Sequence, residues 1–146
     1  MPSITFRRAQ AHDADAILEL WRSSGASPTP TDDVPHLVRL TGNPTAALLL
    51  ALEDGQIVGS LLGTYDGWRG TLYRLVVRAD KRRRGIGRDL VRQMDRIFAG
   101  WGVKRAHALV EIDRPSARLF WSSVGYAHDD RLVRHVRTLD GGSDGT

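Results

Sequence analysis

The chain has 146 residues, 41% hydrophobic and 26% charged, the size and balance of one compact globular domain; a fibrous repeat and a disordered chain are excluded. It has no cysteine, so a disulfide framework, thiolate metal sites and a cysteine nucleophile are excluded too, and a reducing cytoplasm suits it. The formal net charge is +4, from 21 basic residues of which only Lys81 and Lys104 are lysine, and no apolar run approaches the roughly 20 residues of a membrane-spanning helix.

Residues 4–8 read as a short strand. Asp13 or Asp15 is placed to cap a helix whose apolar residues Ile17, Leu18 and Trp21 share one face, and Gly25 ends it. Residues 23–30, rich in Ser, Pro and Thr, read as a loop; Thr31 is placed to cap a short helix carrying Val34, Leu37 and Val38, which Gly42-Asn43-Pro44 stops. Residues 46–52 and 57–65 are apolar runs on either side of the tight-turn dipeptide Asp54-Gly55, which predicts a hairpin. A turn at Asp66-Gly67 then leads to a third antiparallel strand over 71–77, with Leu75 and Val77 on one face and Arg74 and Val76 on the other.

From Gly87 onward, Leu90, Val91, Met94, Ile97, Phe98 and Trp101 recur at helical spacing and predict a helix of about four turns. Residues 106–112 predict another strand. Pro115 opens a helix buried through Ala117, Phe120, Trp121 and Val124, and residues 132–139 predict a closing strand. The Gly-rich polar tail 140–146 has nothing to bury and is expected to be disordered. This order predicts a single domain over 1–139 of the α/β (α+β) class, a mixed sheet with helices on both faces.

Seven cations, Arg78, Lys81, Arg82, Arg83, Arg84, Arg88 and Arg92, fall within fifteen residues. Such clustering points to a local anionic ligand more than to a uniformly basic surface. Within it, Arg82-Arg83-Arg84-Gly85-Ile86-Gly87 lies between a predicted strand end and a predicted helix start, where unpaired amides and the helix dipole favour a phosphate. The glycines allow a tight turn and a close backbone approach, and the arginines add charge-assisted hydrogen bonds.

The segment from Val77 to Gly87 resembles the motif of the GNAT superfamily of acetyl-CoA-dependent N-acetyltransferases, a strand-end Val followed by Arg/Gln-x-x-Gly-x-Gly/Ala. A second block, Asp113 to Trp121 and on to Val124-Gly125-Tyr126, is similar to that family's Asn-x-x-Ala-x-x-Phe-Tyr-x-x-x-Gly-Phe helix. The resemblance covers residues 4–139 and implies a mixed, mostly antiparallel central sheet of about six to seven strands. It implies acetyl-CoA as cosubstrate, with amides of residues 83–88 on its pyrophosphate and the backbone of Leu75, Val76 and Val77 pairing with the pantetheine arm. The cofactor-binding set it implies is those three residues with Arg82, Arg83, Arg84, Gly85, Ile86, Gly87, Arg88, Arg114, Ala117, Phe120 and Trp121. The sequence departs from the pattern at Ala79, where the family often has Pro, at Arg114, where it usually has Asn, and at Trp121, where it commonly has the Tyr that serves as general acid.

Acetyl transfer from a thioester to an amine needs a neutral amine, a polarised carbonyl and charge relief at the departing thiolate. Glu111, ending its strand just before the second block, is the candidate base, with a solvated strand-end carboxylate as the plain alternative. Tyr73 is the candidate acid or positioning group, with core packing as its alternative. A backbone amide near Val76 or Val77 is expected to polarise the carbonyl, and Trp21, residues 23–36 and Trp68 are expected to line the acceptor pocket. The acceptor, a primary amine of a small molecule or a protein N-terminus, is not legible, nor is homodimerisation. Two other readings are an acyl-CoA-binding sensor without catalysis and, less favoured because a basic helix face needs no Gly-x-Gly, a nucleic-acid-binding module. The five histidines have no metal-ligand spacing, so no metal is expected.

Overall fold

Strand β2 (Ala46–Glu53) is buried on both faces along its whole length, which is why its sequence is an unbroken apolar run instead of an alternation. Ala46, Leu48, Leu50 and Leu52 face one core; Ala47, Leu49 and Ala51 face the other. Around it the computed structural model, which describes residues 3–110 and 115–139, builds a sheet covered by helices on both sides. The other elements are β1 (Ile4–Arg8), α1 (Ala14–Ser23), α2 (Val34–Thr41), β3 (Gln56–Tyr65), β4 (Gly70–Val77), α3 (Ile86–Trp101), β5 (Ala106–Ala108) and α4 (Pro115–Ser123).

The sheet order is β1-β2-β3-β4-β5; the first four strands form an antiparallel meander and β5 joins β4 in parallel. Helices α1 and α2 bury Ile17, Leu20, Trp21 and Leu37 against one face. The other face carries Leu90, Val91, Met94 and Phe98 of α3 and Trp121 of α4. The mixed sheet with helices on both faces is therefore the architecture the sequence predicts. No described helix is long and apolar enough to cross a membrane.

Several boundaries differ from the sequence expectation. Asp33, not Thr31, caps α2, its carboxylate accepting from the His36 amide at 2.9 Å. Asp13 does not cap α1 through its side chain; it is spent on Arg7, at 2.7 and 3.0 Å, and on the Gln10 amide. Five strands stand among the described residues, fewer than the six to seven expected; the one at 106–112 is present but shorter, and the one at 132–139 is absent. Strand β5 is three residues long, and residues 111–114 lie outside the described set. Residues 132–139 form no strand: Leu132, Val133 and Leu139 are 74–80% exposed, and a strand without a neighbour has nothing to pair its amides with. The tail 140–146 lies outside the described residues.

Candidate functional site

The pairing of β4 is lopsided. On one side it runs against β3 from Gly70 to Val77. On the other, β5 pairs only Gly70, Thr71 and Leu72, and the last ladder bond is from the Leu109 amide to the Leu72 carbonyl at 3.1 Å. Among the described residues, then, 73–77 present an open backbone edge, and their side chains are half-buried, unlike those of β2. An extended chain of ligand atoms fits such an edge as a strand would.

Just past Val77 the chain turns through a short 3-10 segment (Ala79–Lys81) and enters α3. Arg83 and Gly85 both take the left-handed conformation, with φ of 64° and 81°. Glycine adopts this freely and arginine at a cost, so the turn is a shaped one. Gly85 stands at the N-cap, where no side chain fills the first-turn amides of α3. A Cβ on Gly87 would lie 3.4 Å from the Phe120 ring and 3.9 Å from Leu75, so this glycine packs where α3, α4 and β4 meet.

The cations of this segment sort themselves. Glu53, at the end of β2 and with its side chain 8% exposed, binds Lys81 Nζ and Arg84 Nη1, each at 2.8 Å. The hydrogen bond from Lys81, and after it the ion pair with Arg84, hold the Glu53 carboxyl below its ordinary range against the opposing effect of burial. Arg78 is taken by Asp80 at 2.7 Å. Arg82 donates to the Val77 carbonyl at 3.1 Å, Arg88 reaches the Ser123 hydroxyl at 3.4 Å, and Arg83 has no side-chain hydrogen bond among the described residues. Arg82, Arg83 and Arg88 thus keep most of their donors for an anion at the start of α3.

The expected site residues converge unevenly. Leu75, Gly87 and Phe120 lie together beside the open edge, Arg82 reaches the Val77 carbonyl and Arg88 the Ser123 hydroxyl of α4. Arg83 and Gly85 are exposed in the turn, and Arg84 is turned to Glu53 at the end of β2. Val76 packs on the α1 side, Val77 and buried Ile86 pack on the α3 side, and Ala117 is half-buried on α4. Trp121 is 7% exposed and sits in the core, its ring edge-on to Phe120 and Tyr126 with centroids 5.4 and 5.1 Å apart. Burial, then the charge of Asp95, pushes the Tyr126 hydroxyl up to about 12. Tyr73 lies at the start of the open edge, half-buried on the α1 side. Trp21 is buried, its Nε1 donating to Ser60 Oγ at 2.9 Å, and it meets the site through Arg74, whose guanidinium lies 5.2 Å from its ring centre. Trp68 is not brought to the site: it is 71% exposed in the β3–β4 turn, at the end of β4 away from Val77. Glu111 and Arg114 lie outside the described residues.

Two features are absent from the sequence reading. One is Glu53, whose only signal is a lone carboxylate closing an apolar run. The other is a bulge in β4. Between the pairs Ser60–Val76 and Leu62–Tyr73, one residue of β3 faces two of β4, and Arg74 is left-handed with φ of 56°.

Among the described residues, a strand edge left without a partner beyond Leu72 runs into an arginine- and glycine-lined helix start, a geometry suited to an anionic ligand with an extended arm. The sequence model of the Acetyltransferase (GNAT) family matches residues 14–126, and the chain belongs to that family. An acetyltransferase of Pectobacterium atrosepticum is 27% identical over 128 residues, covering 88% of this chain and 91% of the relative. The PaiA N-acetyltransferase of Thermoplasma acidophilum, solved in complex with coenzyme A, superposes with a TM-score of 0.80 at 17% identity, covering 88% and 92% of the two chains. An aminoglycoside acetyltransferase from an uncultured soil metagenomic sample, in complex with trehalose, gives 0.75 at 20% identity over 93% and 96%. These two likenesses establish the shared fold.

Proposed function

We propose that the protein transfers the acetyl group of acetyl-CoA to a primary amine of a small molecule or a protein N-terminus, by direct attack within a ternary complex. The observation that carries this reading is the edge of residues 73–77, unpaired among the described residues, running into the arginine-glycine turn. The family match and the CoA-bound relative support it.

In this reading the amides at the start of α3, with Arg82, Arg83 and Arg88, hold the pyrophosphate, and the edge of Leu75 to Val77 takes the pantetheine arm. An amide near Val76 or Val77 polarises the thioester carbonyl. The amine nitrogen attacks the carbonyl carbon, the tetrahedral intermediate collapses with cleavage of the C–S bond, and the amine proton passes to a base for which Glu111 is the candidate. The departing thiolate takes a proton from Tyr73 or water, since the Trp121 indole N–H is no acid near neutral pH.

The core position of Trp121 favours a second reading, an acyl-CoA-binding protein that performs no transfer. Incubation with acetyl-CoA and a diamine, an aminoglycoside, an amino-acid amide and a short peptide with a free N-terminus separates the two. Release of the CoA thiol that depends on an amine supports transfer; binding of acetyl-CoA with no amine-dependent release from a broad panel supports the sensor.

A further inference from the structure

The left-handed bulge residue of β4 is an arginine, although glycine is the residue that takes this conformation without strain. Its side chain accounts for the choice. Arg74 Nη2 donates to Asp32 Oδ2 at 2.5 Å and to the Ser27 carbonyl at 3.0 Å, 42 and 47 residues away, in the loop joining α1 to α2. Both charged side chains are less than one-fifth exposed.

The acceptor of this contact is itself fixed. The Thr29 amide donates to Asp32 Oδ2 at 2.8 Å, and the Asp32 amide donates back to the Thr29 carbonyl at 3.0 Å. Below, the Trp21 indole donates to Ser60 Oγ, and Ser60 donates to the Arg74 carbonyl, both at 2.9 Å. Helix α1, strand β3, the bulge and the α1–α2 loop are thus joined through one residue, which lies between Tyr73 and Leu75 on the open half of β4. None of these contacts involves residues 78–88.

We propose that Arg74, acting through Asp32, is a positioning residue that holds the α1–α2 loop against the β4 bulge and so sets the wall of the transfer site opposite the pyrophosphate turn. The assignment of that wall to the acceptor rests on the function proposed above; the holding of the loop does not. Because the bulge geometry alone would be served as well by glycine, Arg74→Gly separates the backbone requirement from the guanidinium, and Asp32→Asn removes the same contact from its other end.

The test is hydrogen–deuterium exchange of residues 24–33 in the full-length protein and in R74G, R74K and D32N, with acetyl-CoA affinity by calorimetry and the KM and kcat of the best amine from the panel above. Exchange in the loop should rise about tenfold in R74G and D32N and less in R74K, with exchange elsewhere unchanged. Acetyl-CoA affinity should stay within about twofold, while the amine KM rises about tenfold and kcat changes less. Loop exchange in R74G equal to the wild type would overturn the proposal. So would a loss of acetyl-CoA affinity matching the loss for the amine, which would make Arg74 a residue of the fold at large. Failure of the wild type to bind acetyl-CoA would remove the functional reading, and loop exchange would still decide whether Arg74 holds the loop.

Discussion

The turn from Arg78 to Gly85 and the loop between α1 and α2 flank the same strand, and they are held in opposite ways. The first is short, enters a helix directly and is pinned at two cations by the nearly buried carboxylate of Glu53, which leaves Arg82, Arg83 and Arg88 facing outward. The second is held to the bulge of β4 by the Arg74 guanidinium, through Asp32 and the Ser27 carbonyl. A site whose geometry must match a fixed ligand gains from preorganisation, because little ordering remains to be done on binding. On the function proposed above, the loop is the wall that admits an acceptor and releases a product, and such a wall gains from a tie that can loosen.

The largest expected effect falls on the pinned turn. Gly87→Val presses branched carbons against Phe120 and Leu75 in the first turn of α3 and should weaken acetyl-CoA binding about 100-fold by calorimetry. The helix content should hold, because Gly87 lies in the first turn of α3. Unchanged affinity would break the contrast at its firm end.

Glu53→Gln keeps the shape and removes the charge that holds Lys81 and Arg84. Acetyl-CoA affinity should fall about tenfold while the fold persists, and Glu53→Asp should restore part of it. If Gln bound as tightly as the wild type, Glu53 would be a stabilising residue only.

Tyr73→Phe sharpens the comparison at the strand between the two loops. If the hydroxyl protonates the thiolate, kcat should fall about tenfold at unchanged acetyl-CoA affinity. An unaltered kcat assigns Tyr73 to packing.

The smallest effect is one of pH. The folded-state pKa of Glu53 lies below its unfolded value, so its contribution to stability is present above the unfolded value, about pH 4.3, and is lost as pH falls through the lower folded one. Acid unfolding followed by circular dichroism should therefore show the wild type losing its advantage over E53Q below about pH 4. A constant difference down to acid would show that the ion pairs to Lys81 and Arg84 are not formed in solution.

The same contrast explains what could be read from the sequence. Strands β2, β3 and β4 and helix α3 follow from local patterns, and their bounds fall within one or two residues of those expected. The arginine-glycine turn into α3 is legible as a structural feature because its glycines and cations are adjacent in the chain, and its proposed phosphate chemistry uses adjacent backbone amides. Glu53 is 28 residues from Lys81 and Asp32 is 42 from Arg74, so no local pattern announces either pair. The bulge at Arg74 is hidden for a related reason: one extra residue changes no composition, only the register against β3. Residues 132–139 show the converse, since their apolar residues suggest a strand while strand formation depends on an edge elsewhere to pair with. Trp68 stands at the other end of β4 from Val77, a separation set by the length of the strand and not visible in local composition.

On the proposed function, the open edge of β4 and the turn beside it bind acetyl-CoA. Calorimetric titration of the wild-type protein with acetyl-CoA, beside a matched titration with a nonspecific DNA duplex at physiological salt, tests it most directly. The account predicts tight, one-to-one binding of acetyl-CoA and no comparable binding of the duplex. Absence of acetyl-CoA binding would contradict it, and duplex binding in its place would reassign the arginine cluster to nucleic acid.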